Sequence, residues 1–195
     1  MVTAADVMEL HTQTSRVYLD RTLEGCMRWM PDIAAYARLL NCLHDFYAPF
    51  EELLDSHMPA LLPDYAQRKK AAWLVKDLAT LGITPVKVKE ARPDMPAIQQ
   101  PADAWGSFYM IEGLALGSSD IKKMIQFDCP AIPETAFTFF SGYQQQNEAM
   151  WYTFLTHFNE ALTTEEERIA SVKAADDCSM QFRINIQLHY SNHRC

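Results

Sequence analysis

The amino-acid sequence predicts an all-α fold. Only six glycines occur in 195 residues. Long segments repeat their apolar residues by three and four rather than by two, and several open on residues that cap helices. Hydrophobic residues at 49% and charged residues at 22% are the proportions of a soluble globular protein. At this length one domain, residues 1–195, can bury most of its apolar surface.

Each element has a local reason. Thr3 is placed to cap a first helix from about residue 4 to the low twenties, with Gly25 just past its end. A second helix starts near Pro31 and buries Ile33, Tyr36, Leu40, Leu43, Tyr47, Phe50 and Leu54, and Pro49 should bend it. A break spans Met58 to Pro63. Asp64 then caps a third helix through KKAAWLVKDLATLG, ended by Gly82. The proline-rich stretch from Ile83 to Gln100 reads as an extended loop.

A fourth helix begins near Pro101 and runs through WGSFYMIEGLALGSSDIKKMI, perturbed where its glycines sit. Cys129 to Pro133 is a turn, and helical sequence resumes at Pro133 and Glu134 with an interruption around Ser141 and Gly142. The last helix opens on Thr163 and Thr164, each three residues before a glutamate, a doubled capping box.

Charge and motifs narrow the function. A net charge of −8 argues against a nucleic-acid groove, which needs a surplus of Lys and Arg facing phosphate. Five scattered cysteines without CxxC spacing read as reduced thiols of a cytoplasmic protein. The N-terminal residues lack the pattern of an export signal, and no run of eighteen apolar residues predicts a membrane span. Six histidines occur without HxxxH or HExxH spacing, and GxSxG, Walker and GxGxxG motifs are absent from the sequence.

The unusual stretch is Glu112 to Ser119, EGLALGSS, with Gly113 and Gly117 four apart inside a helical segment. Each glycine costs a helix about 1 kcal/mol relative to alanine. Two readings account for them: close packing of another helix, or the approach of a flat ligand to bare backbone.

SFYMIEGLALGSSDIKKMI resembles the kinked distal helix of heme oxygenases. ELHTQTSRVYLDRTL is similar to the family's first helix, NCLHDFYAPFEELL to its second, and TTEEERIASVKAADDCSMQFRINIQLHY to its last. The resemblance implies a heme-oxygenase-like helical bundle with heme held between the first and distal helices. It also implies cleavage of heme with oxygen to biliverdin, carbon monoxide and iron, with electrons from an external donor. Gly113, Gly117 and Ser118 take the distal catalytic positions, and Tyr109, Leu114 and Tyr143 positions that line or anchor heme.

Aligning Leu10 and Thr14 with the family pattern puts Tyr18 at the proximal iron-ligand position and His11 at a propionate-anchor position. The late anchor segment reads Tyr143-Gln144-Gln145-Gln146, without Lys or Arg, and Leu114 replaces a polar residue. Two functions stay open: oxidative cleavage of heme, and an altered protein that binds heme, another tetrapyrrole or an apolar ligand in the same cleft.

Overall fold

The computed structural model describes residues 2–27, 30–85 and 95–191, leaving aside the side chains of Asp20, Met27, Ala115, Gly117, Ser118 and Ser191. Among these residues the chain is helical and without strands. Helix α1 (Ala4–Met27) opens on a reciprocal cap: Thr3 Oγ1 accepts from the Asp6 N–H at 3.1 Å, and Asp6 Oδ2 accepts from the Thr3 N–H at 2.8 Å. The helix does not stop before Gly25, as its sequence implied. The inward spacing Leu19, Leu23, Cys26 continues past the glycine and keeps the helix packed.

Helix α2 (Ile33–Leu54) is capped by Asp32, which accepts from the Ala35 N–H at 2.7 Å, and contains Pro49. The stretch expected as a break holds one helical turn, α3 (Met58–Leu61). The single third helix expected after Asp64 is two: α4 (Tyr65–Arg68) and α5 (Ala71–Thr80). Tertiary bonds cause this split. Glu51 Oε1 on α2 accepts from the backbone N–H of Lys70 at 2.5 Å and of Ala71 at 3.0 Å, so it caps α5 from outside and the chain leaves the helix at Lys69. Gly82 ends α5 with φ +72°, a backbone conformation that favours glycine. Of the predicted loop, 83–85 and 95–99 are non-helical, and 86–94 lie outside the described residues.

Helix α6 (Pro101–Asp128) runs unbroken through its glycines. The expected perturbation is absent from its described backbone because Tyr109 and Ile111 before the glycines and Ile125 after them hold the helix in the core. A 3₁₀ turn (Glu134–Ala136), α7 (Thr138–Ser141), a second 3₁₀ turn (Gln144–Gln146) and α8 (Asn147–Ala161) follow. The break expected at Ser141 and Gly142 falls between α7 and that second turn. Helix α9 (Glu165–Ser191) closes the chain. Thr164 and Glu167 form its capping box, while Glu167 also accepts from the Thr163 N–H at 2.9 Å.

Helix α9 packs along both α6 and α1, and α2 lies against α5 and α9. The α6–α9 approach depends on Gly106, where a Cβ would stand 1.9 Å from the Ser171 carbonyl oxygen. Gly113 differs, since its nearest neighbour would be the Trp151 ring at 3.7 Å, an ordinary contact. Buried rings fill the remaining space: Phe46 meets Phe182 edge-on at 4.9 Å, and Tyr109 lies 5.2 Å from Trp151 and 5.3 Å from Phe158.

A buried charge cluster pins the middle of α6. Glu112 receives Arg68 Nη1 on one oxygen and Lys70 Nζ on the other at 2.5 Å, and the Tyr143 hydroxyl donates to it at 2.9 Å. Arg68 also grips Asp64 through two bonds of 2.7 Å and donates to the Met150 carbonyl at 3.0 Å. On the far side of α5, Asp77 accepts from the Thr138 and Phe139 N–H groups at 2.8 Å each, which seats α7.

Three outcomes follow for stability. Gly106→Ala should cost on the order of 3 kcal/mol, because two helix backbones must separate, while Gly113→Ala should stay within about 1 kcal/mol of wild type; urea unfolding of both variants checks the contrast. Glu112→Gln should cost about 3 kcal/mol or more by leaving two buried cations on a neutral amide, read as a fall in thermal midpoint.

Burial pushes the Glu51 carboxyl up, against the opposing Lys70 and Ala71 N–H donors. The folded state therefore holds this proton more tightly than the unfolded chain. The resulting stability is fully present below the unfolded value of about 4.3 and is lost as pH rises through the folded value. Relative to Glu51→Gln, the wild type should lose stability as pH rises above the unfolded carboxyl value of about 4.3 in paired urea titrations. A gain as pH rises would contradict the assignment.

Candidate ligand-binding cleft

Helix α1 carries its buried stripe at Met8, Thr12, Leu19 and Leu23, and Arg16 fills the place in that stripe between Thr12 and Leu19. Where α1 passes α6, the two helices leave a cleft of about 330 Å³. Arg16, Leu19, Leu23 and Glu24 form its α1 wall. Met110, Gly113, Leu114, Leu116, Ile121 and Met124 form most of the α6 wall, with Asp120 beside them.

Behind Leu23, Leu114 and Ile121, which it shares with the cleft, lies a second apolar void of about 30 Å³. Tyr47, Phe139, Phe140 and Phe182 enclose it, and among the described residues Lys70 is its one charged wall residue. It has room for one small molecule.

The charged groups have separate surroundings. Arg16 lies beside the Tyr109 hydroxyl. Burial pushes that phenol up, the guanidinium opposes the rise, and Glu9 adds to it. Asp120 pairs with Lys123 at 2.8 Å near the exposed end of the cleft.

The residues singled out from sequence divide into three groups. Gly113 and Leu114 line the cleft, and Leu114 lines the inner void as well. Tyr109 is buried behind Arg16, and Tyr143 belongs to the Glu112 cluster, where burial and then the neighbouring carboxylate push its hydroxyl up. His11 is exposed, and Tyr18 is 50% exposed with the Arg183 guanidinium 5.2 Å over its ring. Gly117 and Ser118 sit on the α6 backbone within this stretch, but their side chains lie outside the described residues.

Arg16, Leu19, Leu23 and Met110 were not singled out from the sequence. The signal was present in the repeat Met8, Thr12, Arg16, Leu19, Leu23, spaced four, four, three and four. The motif alignment instead rested on Leu10 and Thr14, which are exposed, Leu10 by 72%. Tyr18 is two residues from Arg16, about 200° around the helix.

A heme-like group would find apolar walls and bare backbone at Gly113, but among the described residues the cleft lining contains no imidazole. Among the described residues no group of three or more His, Cys, Asp or Glu side chains could hold a metal ion, and no helix is long and apolar enough to cross a membrane.

No family model matches the chain. It is 29% identical over 145 residues to a heme oxygenase of Xanthomonas campestris pv. campestris (strain 8004), covering 74% of this chain and 84% of that protein. Its structure superposes on the heme oxygenase of Neisseria meningitidis, known in NO- and CO-bound crystal structures. That match has a TM-score of 0.78 at 17% identity and covers 98% of this chain and 94% of the other. The heme oxygenase of Leptospira interrogans gives 0.73 at 14% identity, over 95% and 99% of the two chains. The chain thus has the heme oxygenase fold and resembles the bacterial heme oxygenases in sequence as well as in structure.

Proposed function

We propose that this chain binds heme or a closely related tetrapyrrole in the cleft between α1 and α6. The observation that carries the reading is the place and shape of that cleft: two helices of a heme oxygenase fold, parted by about 330 Å³ and lined by Leu19, Leu23, Leu114 and Ile121, with Gly113 in the wall. Apolar walls of this kind gain free energy from covering the faces of a flat ring, and backbone without a Cβ lets the ring come close. This chain's residues hold and shield the ring, with Leu19 and Leu23 on one side and Leu114 and Ile121 on the other.

The second reading is oxidative cleavage of heme to biliverdin, carbon monoxide and iron, favoured by the sequence relative named heme oxygenase. Bound heme would supply the iron and the oxygen chemistry. Electrons would come from a separate reductase or ferredoxin in the cytoplasm, since the sequence carries no Rossmann fingerprint. Among the described residues the lining lacks an imidazole, so binding is the reading that the geometry supports best.

Titration of the purified protein with hemin should give a stoichiometric Soret shift. Adding a reductant in air then separates the readings. A biliverdin spectrum means turnover, an unchanged Soret band means binding alone, and no shift on titration rejects both.

A further inference from the structure

We propose that the outward face of α1 is an interface with a second copy of this chain, the two helices lying antiparallel about a two-fold axis that passes between Gln13 and Thr14. The inference concerns the side of α1 turned away from the cleft and stands apart from the tetrapyrrole reading.

The face is what the fold leaves uncovered. Helices α9, α8 and α6 pack on α1, and Met8, Thr12, Leu19 and Leu23 are the residues buried there. Asp6, Leu10, Gln13, Val17 and Arg21 follow one another at intervals of four, three, four and four. That spacing sets them about 150° around the helix from the buried stripe. All five are exposed, Leu10 by 72% and Val17 by 43%. Single apolar residues scattered on a surface need no partner. The order of these residues is what points to one.

A two-fold interface is self-complementary, so that where residue i meets residue j, j also meets i. In an antiparallel pair centred between Gln13 and Thr14, residues equally far from the centre stand level with each other. Asp6 of one copy then meets Arg21 of the other, Leu10 meets Val17, and Gln13 meets Thr14, each contact being made twice. Apolar and uncharged groups fill the middle, and an opposite-charge pair closes each end of a stripe about 22 Å long. A parallel pair would instead set Asp6 against Asp6 and Arg21 against Arg21. Exposed ion pairs add little affinity, but like charges brought face to face decide which orientation is allowed. One helix on one helix covers less area than a permanent dimer needs, so the pairing is reversible, with a Kd on the order of 50 μM.

Sedimentation equilibrium of the full chain, from about 5 to about 500 μM, tests the pairing. The wild type should pass from monomer towards dimer over this range. Leu10→Glu, at a site already exposed to water, should raise the dimer Kd by about tenfold or more. Arg21→Glu should do the same by setting a carboxylate against Asp6 at both ends, and Asp6→Lys by setting an ammonium against Arg21. Mixed in equal amounts, Arg21→Glu and Asp6→Lys should associate again, because both ends of the mixed pair then join opposite charges. Damage to α1 itself gives no such recovery. Asp6→Lys also removes the acceptor of the Thr3 N–H, so thermal midpoints establish that each variant is folded when measured.

A wild type that stays monomeric at about 500 μM overturns the proposal and leaves this face to a partner of another kind. A dimer that survives Leu10→Glu and Arg21→Glu, or a mixture that does not recover, places the contact elsewhere and overturns it as well.

Discussion

Glu112 is the point on which the arrangement around the cleft depends. A carboxylate in the core is costly unless its oxygens are met by charges and hydrogen bonds. Here Arg68 and Lys70, from one short segment, and Tyr143, from a distant one, converge on it. To deliver Arg68 and Lys70 to the same carboxylate, the chain must leave the helix between α4 and α5, and Glu51 takes up the backbone donors released there. The same carboxylate precedes Gly113 and Leu114, so the cluster also fixes the part of α6 that walls the cleft. Stability and site geometry thus share one set of bonds.

The glycines of α6 answer different demands. Gly106 is required by its neighbour, because the Ser171 backbone occupies the space of a side chain. Gly113 is not required by packing, since the Trp151 ring stands at ordinary contact distance from a Cβ placed there. Its place in the cleft wall therefore fits the ligand-approach reading better than the helix-packing one. Helix packing through a glycine does occur in α6, but at Gly106, seven residues before Gly113.

The cleft combines the shell of a heme oxygenase with a different polar inventory. Its walls are apolar where a ring would lie, and its inner end opens towards a small void bounded by Lys70. Among the described residues its α1 side offers a guanidinium and no imidazole. The fold sets where a flat molecule can lie; the side chains set how it is held, and a retained fold does not guarantee a retained reaction.

Local chemistry made much of the fold legible in the sequence. Thr3 with Asp6, Gly82 and the Thr164–Glu167 box act within a few residues of their own helices, so one-dimensional reading found them. The split between α4 and α5 was not legible, because the bonds that cause it come from Glu51, about twenty residues away, and from Glu112, more than forty away. For the site, the sequence alone selected the first helix and the EGLALGSS stretch, whose backbone does meet across the cleft. Which side chain of the first helix turns inward was decided by tertiary packing. Leu10, Thr14 and Tyr18 suit a motif, but Met8, Thr12, Leu19 and Leu23 are the residues that α6, α8 and α9 bury, and that choice of face points Arg16 into the cleft and leaves Tyr18 half in solvent.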